Sequence, residues 1–331
     1  MKNFIKRIFK YPYRVMVKLA KKLTNFDEVF HRNQIMENQI AEMSDKLKPL
    51  QDDYDWGYPK GHFYSSVHSL GDLEDYLSVK KREEATFSDA MPTFSSKRLV
   101  KEFNSVKKYF KDFRYPLEDD GKSRFYVNNV SLGSMDSLML FSMIRAKKPK
   151  KIIEIGSGFS SGLIIDINEK YFNDSIDITF IESFPYLLQT RMKEKDRKKY
   201  KIIEKKVQDT DLNIFKTLES GDLLIIDSTH VSKFNSDVNY EIFHILPALK
   251  AGVLVYFHDV LDGFEYPLHW LKDGWAWNEQ YLLRAFLMNN RDYEIFMMTN
   301  FMTNHYPDLL KQSYKKGNTL DGGQLWIRKI R

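Results

Sequence analysis

The stretch KIIEIGSGFSSG, residues 151–162, decides the fold. A short apolar run, Ile152, Ile153 and Ile155, breaks off at Gly156, Ser157 and Gly158, with a helix-like stretch beyond. This pattern predicts a strand turning tightly into a helix. Glycines there let the backbone approach a ligand closely, and the helix N-terminus offers unpaired N–H groups. Three features weigh against a dinucleotide site: the motif lies mid-chain, Ser161 stands where the third fingerprint glycine would be, and Glu154 lies inside the strand.

Working outward, further apolar runs follow: DITFIES (177–183), KIIEKKV (201–207), DLLIID (222–227) and VLVYFHD (253–259). Helix-like connectors separate them, which predicts a parallel sheet covered on both faces. YEIFMMTN (293–300) and QLWIRKI (324–330) are expected to add an edge hairpin. Such sheets bind ligands beyond the carboxyl ends of their strands, at the topological switch point. The strand ends are therefore the candidate site. Glu182 ends the second strand, where an acid can accept both hydroxyls of a ribose. The third leads into Gln208 and Asp209, suited to an adenine amino group. Taken in this order with the glycine turn, they point to an adenosine-bearing ligand. GDLLIIDSTHV (221–231) delivers Asp227 and His230 to the same edge, although burying an unpaired carboxylate costs several kcal/mol unless it is hydrogen-bonded or coordinated.

The rest of the chain bounds the setting. The 331 residues, 43% hydrophobic and 15% aromatic, describe a folded protein, and the absence of cysteine excludes disulfides and thiolate metal sites. A cytoplasmic setting is the default expectation. The net charge of +6 is concentrated: residues 1–22 hold eight Lys or Arg and no acid, leaving the remainder at −2. The basic balance thus belongs to one tail and does not indicate a nucleic-acid-binding body. Ile5, Ile8, Phe9, Val15, Met16 and Leu19 recur at roughly helical spacing in that tail. No uncharged run approaches the ~20 residues of a bilayer span, and the pattern of a signal peptide is lacking. Either an interfacial helix on anionic lipid, at the inner face of the membrane, or a basic helix packed on protein fits the pattern. In residues 26–50, Val29, Met36, Ile40, Met43, Leu47 and Leu50 step like heptads, which predicts either a homo-oligomeric coiled coil or an amphipathic helix on the main domain. Three regions result: a helical extension (1–50), a loop and helical cap (51–148), and the sheet domain (149–331).

The marks IIEIGSGFSSG, FIES, VQDTDL, GDLLIIDSTHVSKFNSDVNYEIFHILPALKAGV, FHDVLDGFEYP, WNEQYLLRAFL and GYPKGHFYS together resemble the class I S-adenosylmethionine-dependent methyltransferases, in particular a bacterial group. The likeness spans roughly residues 56–305. It implies a Rossmann-like, doubly wound α/β sheet of seven strands with the last antiparallel. It also implies that Glu154 and the Gly156–Ser157–Gly158 loop meet the methionine part of S-adenosyl-L-methionine, Glu182 and Ser183 the ribose, and Gln208 and Asp209 the adenine, with Asp227 between cofactor and acceptor. No Asn-Pro-Pro-Tyr or Asp-Pro-Pro-Tyr run occurs, which disfavours methylation of nucleic-acid bases and favours a hydroxyl acceptor.

Methyl transfer to a hydroxyl requires alignment with the activated methyl and removal of a proton. A neutral imidazole suits the second task, so His230 or His258 is the candidate base beside Asp227. Alternatively Asp227, His258 and Asp259 would hold Mg2+ or another divalent cation, as acids at these strand ends do in some sugar and catechol O-methyltransferases of the superfamily. His62, Tyr64, Asp237 and Asn239 are expected to line the acceptor pocket. Trp270, Trp275 and Trp277 are read as packing under a lid, and Asn278 and Glu279 as the start and cap of a helix or as contacts to the acceptor. The tail makes a lipid-linked glycan the preferred acceptor, ahead of a small secondary metabolite. A non-catalytic binding protein retaining the fold is the alternative from another class.

Overall fold

Apolar runs without polar alternation form strands covered on both faces, and a computed structural model of the chain pairs them into one sheet. The structure describes residues 34, 36–43, 65–69, 71, 94–314 and 322–331. They fall in two units, Met1–Asp72 and Leu73–Arg331. In the first, residues 36–43 are helical and expose Met36, Ile40 and Met43, the expected seam positions. The basic tail, the other heptad positions, His62 and Tyr64 lie outside the described residues. Among the described residues no helix is long and apolar enough to cross a membrane.

The second unit contains β1 (Lys151–Ile155), β2 (Asp177–Ile181), β3 (Lys201–Ile203), β4 (Leu223–Ile226), β5 (Leu254–Phe257), β6 (Tyr293–Met298) and β7 (Leu325–Lys329), in the order β3-β2-β1-β4-β5-β7-β6. The first five strands pair in parallel, and β7 runs antiparallel to both β5 and β6. The expected hairpin is present, but β7 is inserted between β5 and β6, so β6 alone forms that edge. The chain turns from one side of β1 to the other between β3 and β4, which puts the switch point at the carboxyl ends of β1 and β4.

Register then aligns the strand-end residues. Ile155 pairs with Ile181 on one side and Ile226 on the other, Ile226 pairs with Phe257, and Phe257 pairs with Leu325. One step beyond these pairs, Glu182, Gly156, Asp227 and His258 form a row across the sheet, with Gln324 at its far end.

Three helices set the frame: α1 (Ser96–Val106), α2 (Ser134–Lys147) and α3 (Phe159–Phe172). Helix α1 packs on β6 and on α2, and α2 packs on α3. This differs from the cap expected over 51–148. Every residue of α2 from Ser134 to Ile144 is buried, so the helix is part of the core layer. A helix apolar on nearly all sides must be enclosed; a cap would leave one face wet.

Gly162 lies inside α3 and does a packing job. A Cβ there would fall 2.5 Å from the Arg124 carbonyl oxygen. Arg124 is itself buried and ion-paired to Asp166, Asp196 and Glu169, so its backbone has little room to yield. Gly162→Ala is expected to lose about 1–3 kcal/mol in urea denaturation through overpacking. In a free helix the same change would be worth up to about 1 kcal/mol of stabilisation, so a stabilised variant would refute this packing account.

Candidate functional site

The site begins where β1 ends. Gly156 adopts φ +76°, and a Cβ at this position would lie 1.7 Å from the Asp227 carbonyl oxygen. Only glycine lets the loop pass this close to β4. The Gly156 N–H donates to Ile181 O at 3.1 Å and the Asp227 N–H to Ile155 O at 2.9 Å, extending the pairing into the loop. Glu182 supports the same loop from β2: its Oε2 accepts from Ser157 N–H (2.9 Å) and its Oε1 from Phe184 N–H (2.8 Å). Beneath, the Gly158 N–H donates to Ser161 Oγ, whose hydroxyl donates to Glu154 Oε2. A cavity of about 160 Å³ opens over the loop, lined among others by Leu132, Gly156, Ser157, Gly158, Glu182 and Asp227.

Glu154 is fully buried, and its Oε1 has no hydrogen-bond partner among the described residues. Burial raises its pKa from 4.5 to about 8, against the Ser161 and Ser160 hydroxyls and with the Asp227 and Glu182 charges adding to the rise. Between these two values the unfolded chain has released the proton that the folded chain keeps. Rising pH therefore favours unfolding across this window. The unfolding free energy of the native protein is expected to fall relative to Glu154→Gln, by about 1–3 kcal/mol from pH 4.5 to 8. Parallel stability curves for the two proteins across that range would refute the burial of a neutral acid.

Beyond Asp227 the polar row becomes a cluster. His230 Nε2 lies 3.6 Å from both Asp227 Oδ1 and Asp259 Oδ2. His258 Nδ1 lies 3.4 Å from the same two oxygens. The outer nitrogens face further carboxylates: His230 Nδ1 is 2.7 Å from Glu279 Oε2, and His258 Nε2 is 3.8 Å from Asp136 Oδ2. Both rings are buried, at 5% and 6% exposure, while Asp227 and Asp259 reach the crevice. His230 and Asp259 occupy the left-handed backbone region, at φ +59° and +54°. Burial works against charge on His230, but Asp227 and Glu279 prevail and lift its pKa to about 10. Burial likewise opposes the charge of His258, and Asp259 and Asp227 raise its pKa well above the ordinary value. Asp227 is held below the usual carboxylate range by the two histidines, despite its burial.

Two of these carboxylates were not expected to face the imidazoles. Glu279 opens helix α4 (Glu279–Leu287), and its own N–H and that of Asn278 both donate to the His230 carbonyl, at 3.1 and 3.0 Å. Asn278 therefore does not cap the helix with its side chain: its Oδ1 accepts from Ser232 N–H at 2.5 Å and its Nδ2 donates to Ser232 O. Asp136 sits buried in the first turn of α2, fixed by Gly323 N–H, the Gln324 side chain and Thr299 Oγ1. The one sequence sign was an acid in an otherwise apolar helix.

Other expected residues lie elsewhere. Gln208 donates to Asn235 O at 2.7 Å, Asp209 is exposed, and neither they nor Ser183 line the cavity. Asp237 accepts from Thr229 N–H and from its hydroxyl, and Asn239 bonds Ser232 Oγ and Lys233 O, so both shape the loop after β4. Trp277 lies against His230 at 4.4 Å between ring centroids. It packs with Trp275 and Trp270 at 4.7 and 5.4 Å, leaving Trp275 42% exposed.

A family model described as a methyltransferase domain matches residues 153–260. An uncharacterised protein of Archaeoglobus fulgidus is 33% identical over 174 residues, which span 50% of this chain and 75% of the relative. Among solved structures, a Podospora anserina methyltransferase bound to S-adenosylhomocysteine aligns with TM-score 0.41 and 16% identity over 81% of this chain and 99% of that one. The O-methyltransferase TomG of Streptomyces achromogenes, involved in tomaymycin synthesis and bound to S-adenosylmethionine, aligns with TM-score 0.41 and 16% identity over 70% and 98%.

Proposed function

Because the chain belongs to the class I S-adenosylmethionine-dependent methyltransferases, we propose that it transfers the cofactor's methyl group to a hydroxyl laid against Asp227, His230, His258 and Asp259. One observation carries this reading. Asp227 lines the cavity over the glycine loop and also lies within 3.6 Å of both histidine rings, so it joins the cofactor side to the polar cluster.

In this reading the methionine part of the cofactor rests on the Gly156–Gly158 loop and the ribose hydroxyls bind Glu182. The adenine lies toward Gln208 and Asp209. Bound there, S-adenosylmethionine would supply a methyl group already activated on a sulfonium, so that the acceptor oxygen would form the C–O bond as the S–C electron pair returned to sulfur. The hydroxyl proton passes to a carboxylate of the cluster, Asp227 or Asp259, because the raised pKa values of His230 and His258 keep both imidazoles charged. The aromatic wall of Trp270, Trp275 and Trp277 beside His230 offers a flat apolar face next to the hydroxyl position. Such a face suits a ring-bearing acceptor, and with the basic tail it favours a glycan carried on a lipid at an anionic membrane. Homo-oligomerisation through residues 26–50 belongs to the same picture.

Calorimetric titration of the full chain with S-adenosylmethionine and S-adenosylhomocysteine tests the first step, and one molecule of each is expected to bind per chain. No binding at millimolar cofactor would overturn the reading. Labelled methyl transfer into lipid-linked glycans and small-molecule extracts of the native host then identifies the acceptor. Incorporation confined to the small-molecule fraction would overturn the glycan assignment.

A further inference from the structure

We propose that the connection between β2 and β3, residues 184–206, gives the folded domain a docking face for a bilayer surface bearing anionic phospholipid. Phe184 and Tyr186 enter the headgroup layer, and the lysines beside them meet the lipid phosphates. This face is separate from the basic tail, and its test needs neither cofactor nor acceptor.

The charge of the connection is concentrated. Residues 191–206, RMKEKDRKKYKIIEKK, hold nine Lys or Arg against three acids, a net +6, although residues 23–331 as a whole sum to −2. One of the three acids, Asp196, is buried against Arg124 and offsets nothing at the surface. Eight of the nine bases are exposed. Lys193, Lys201, Lys205 and Lys206 have no carboxylate partner among the described residues. Both arginines are engaged, Arg191 with Asp119 at 3.2 Å and Arg197 with the Gln189 carbonyl at 3.1 Å. The cations left over are therefore lysines, compact hydrated charges without the planar fork that suits nucleic-acid recognition. Such charges match a diffuse anionic surface.

Protection of a sheet edge accounts for only part of this pattern. β3 is the outermost strand, and lysine on an edge strand discourages pairing with another chain. That covers Lys201, which lies in the strand, but not Lys193 before it or Lys205 and Lys206 after it.

Exposed aromatic rings complete the face. Phe184 is 81% and Tyr186 79% exposed. Their backbone is held: the Phe184 N–H donates to Glu182 Oε1 and the Tyr186 N–H to Phe184 O, both at 2.8 Å, with Pro185 between them. The Glu182 N–H donates to Ile203 O at 3.1 Å, so Phe184 and Lys205 leave the sheet from adjacent strand ends. A third ring, Phe234, is 98% exposed on a turn joined to the same edge by Gln208, whose side chain donates to Asn235 O at 2.7 Å. Large rings in water beside uncompensated lysines are the composition of an interfacial surface, with rings at headgroup depth and cations on the phosphates. Glu182 and Leu187 also line the cavity over the glycine loop, so a docked face sets that crevice at the lipid surface. In that respect the proposal deepens the reading of a lipid-carried acceptor.

The test is sedimentation of the full-length protein, tail in place, with vesicles of phosphatidylcholine with and without phosphatidylglycerol. Binding is expected only to the anionic vesicles and should disappear near 1 M salt, where the screening length falls to about 3 Å. Lys193→Gln, Lys201→Gln, Lys205→Gln and Lys206→Gln combined should weaken it at least 100-fold, each lysine near an anionic surface being worth roughly fivefold. The four corresponding Lys→Arg changes should preserve it. Phe184→Ser with Tyr186→Ser should weaken it about tenfold or more. Undiminished binding of the Gln variant would assign all lipid contact to the tail and overturn the proposal. Equal binding to neutral vesicles would overturn it as well. So would a Gln variant that loses affinity for RNA while keeping its affinity for vesicles, which would make nucleic acid the partner. Calorimetry of the Gln variant with S-adenosylmethionine is expected to match the native protein, so loss of the lipid face and loss of the methyltransferase reading remain separate outcomes.

Discussion

A Gly156→Ala protein is expected to lose cofactor binding at least 100-fold and to unfold roughly 2–5 kcal/mol more easily than the native chain. Two independent effects combine. The residue holds φ +76°, where a Cβ meets its own backbone, and that Cβ would sit 1.7 Å from the Asp227 carbonyl oxygen. The obstruction is backbone, so no side-chain rotation relieves it. Either the loop lifts away from β4 or the end of β4 is pushed outward. Both movements disturb the cavity, because Gly156 and Asp227 both line it. Calorimetry with S-adenosylmethionine and urea denaturation read the two effects separately. A variant that binds the cofactor within tenfold of the native protein would show that the close approach is not needed.

Asp227→Asn is expected to act differently, reducing methyl transfer about 10²–10⁴-fold while changing S-adenosylmethionine affinity less than tenfold. The amide keeps the shape of the cavity wall but no longer carries the charge that faces His230 and His258. The loss should therefore appear in kcat, once an acceptor is known, with the KM for cofactor nearly unchanged. Turnover within tenfold of the native enzyme would remove Asp227 from its place between cofactor and acceptor. A large loss of cofactor affinity with kcat preserved would assign it to binding alone.

What was legible in the chain follows from how strands carry information. A buried parallel strand is a continuous apolar run, so its end is marked by the first polar residue. Gly156, Glu182, Asp227 and His258 are those residues, and strand pairing alone lines them up. A sheet of seven strands with the last antiparallel was what the family resemblance implied, whereas the place of β7 between β5 and β6 was not expected. Helices hide more. Asp136 and Glu279 sit at helix starts, where an acid is ordinarily a favourable neighbour of the helix dipole, and nothing local says that either faces an imidazole. Asp237 and Asn239, expected at the pocket because they follow a strand, are engaged by Thr229, Ser232 and Lys233. The placement of α2 was missed because a helix read as a cap and a helix sealed in the core differ only in what surrounds them.

The left-handed backbone at His230 and Asp259 offers a way of sorting sequences that share this sheet. An ordinary side chain in that conformation gives up about 1–2 kcal/mol relative to glycine, and nothing in the turn itself rewards the imidazole. A lineage that retained the scaffold but abandoned the chemistry would drift toward Gly or Asn at 230, because drift removes strain that no longer serves a purpose. Residue 230 is thus a one-position diagnostic. A histidine kept there against its backbone preference marks chains that still use the crevice, and a glycine marks those that have become inert.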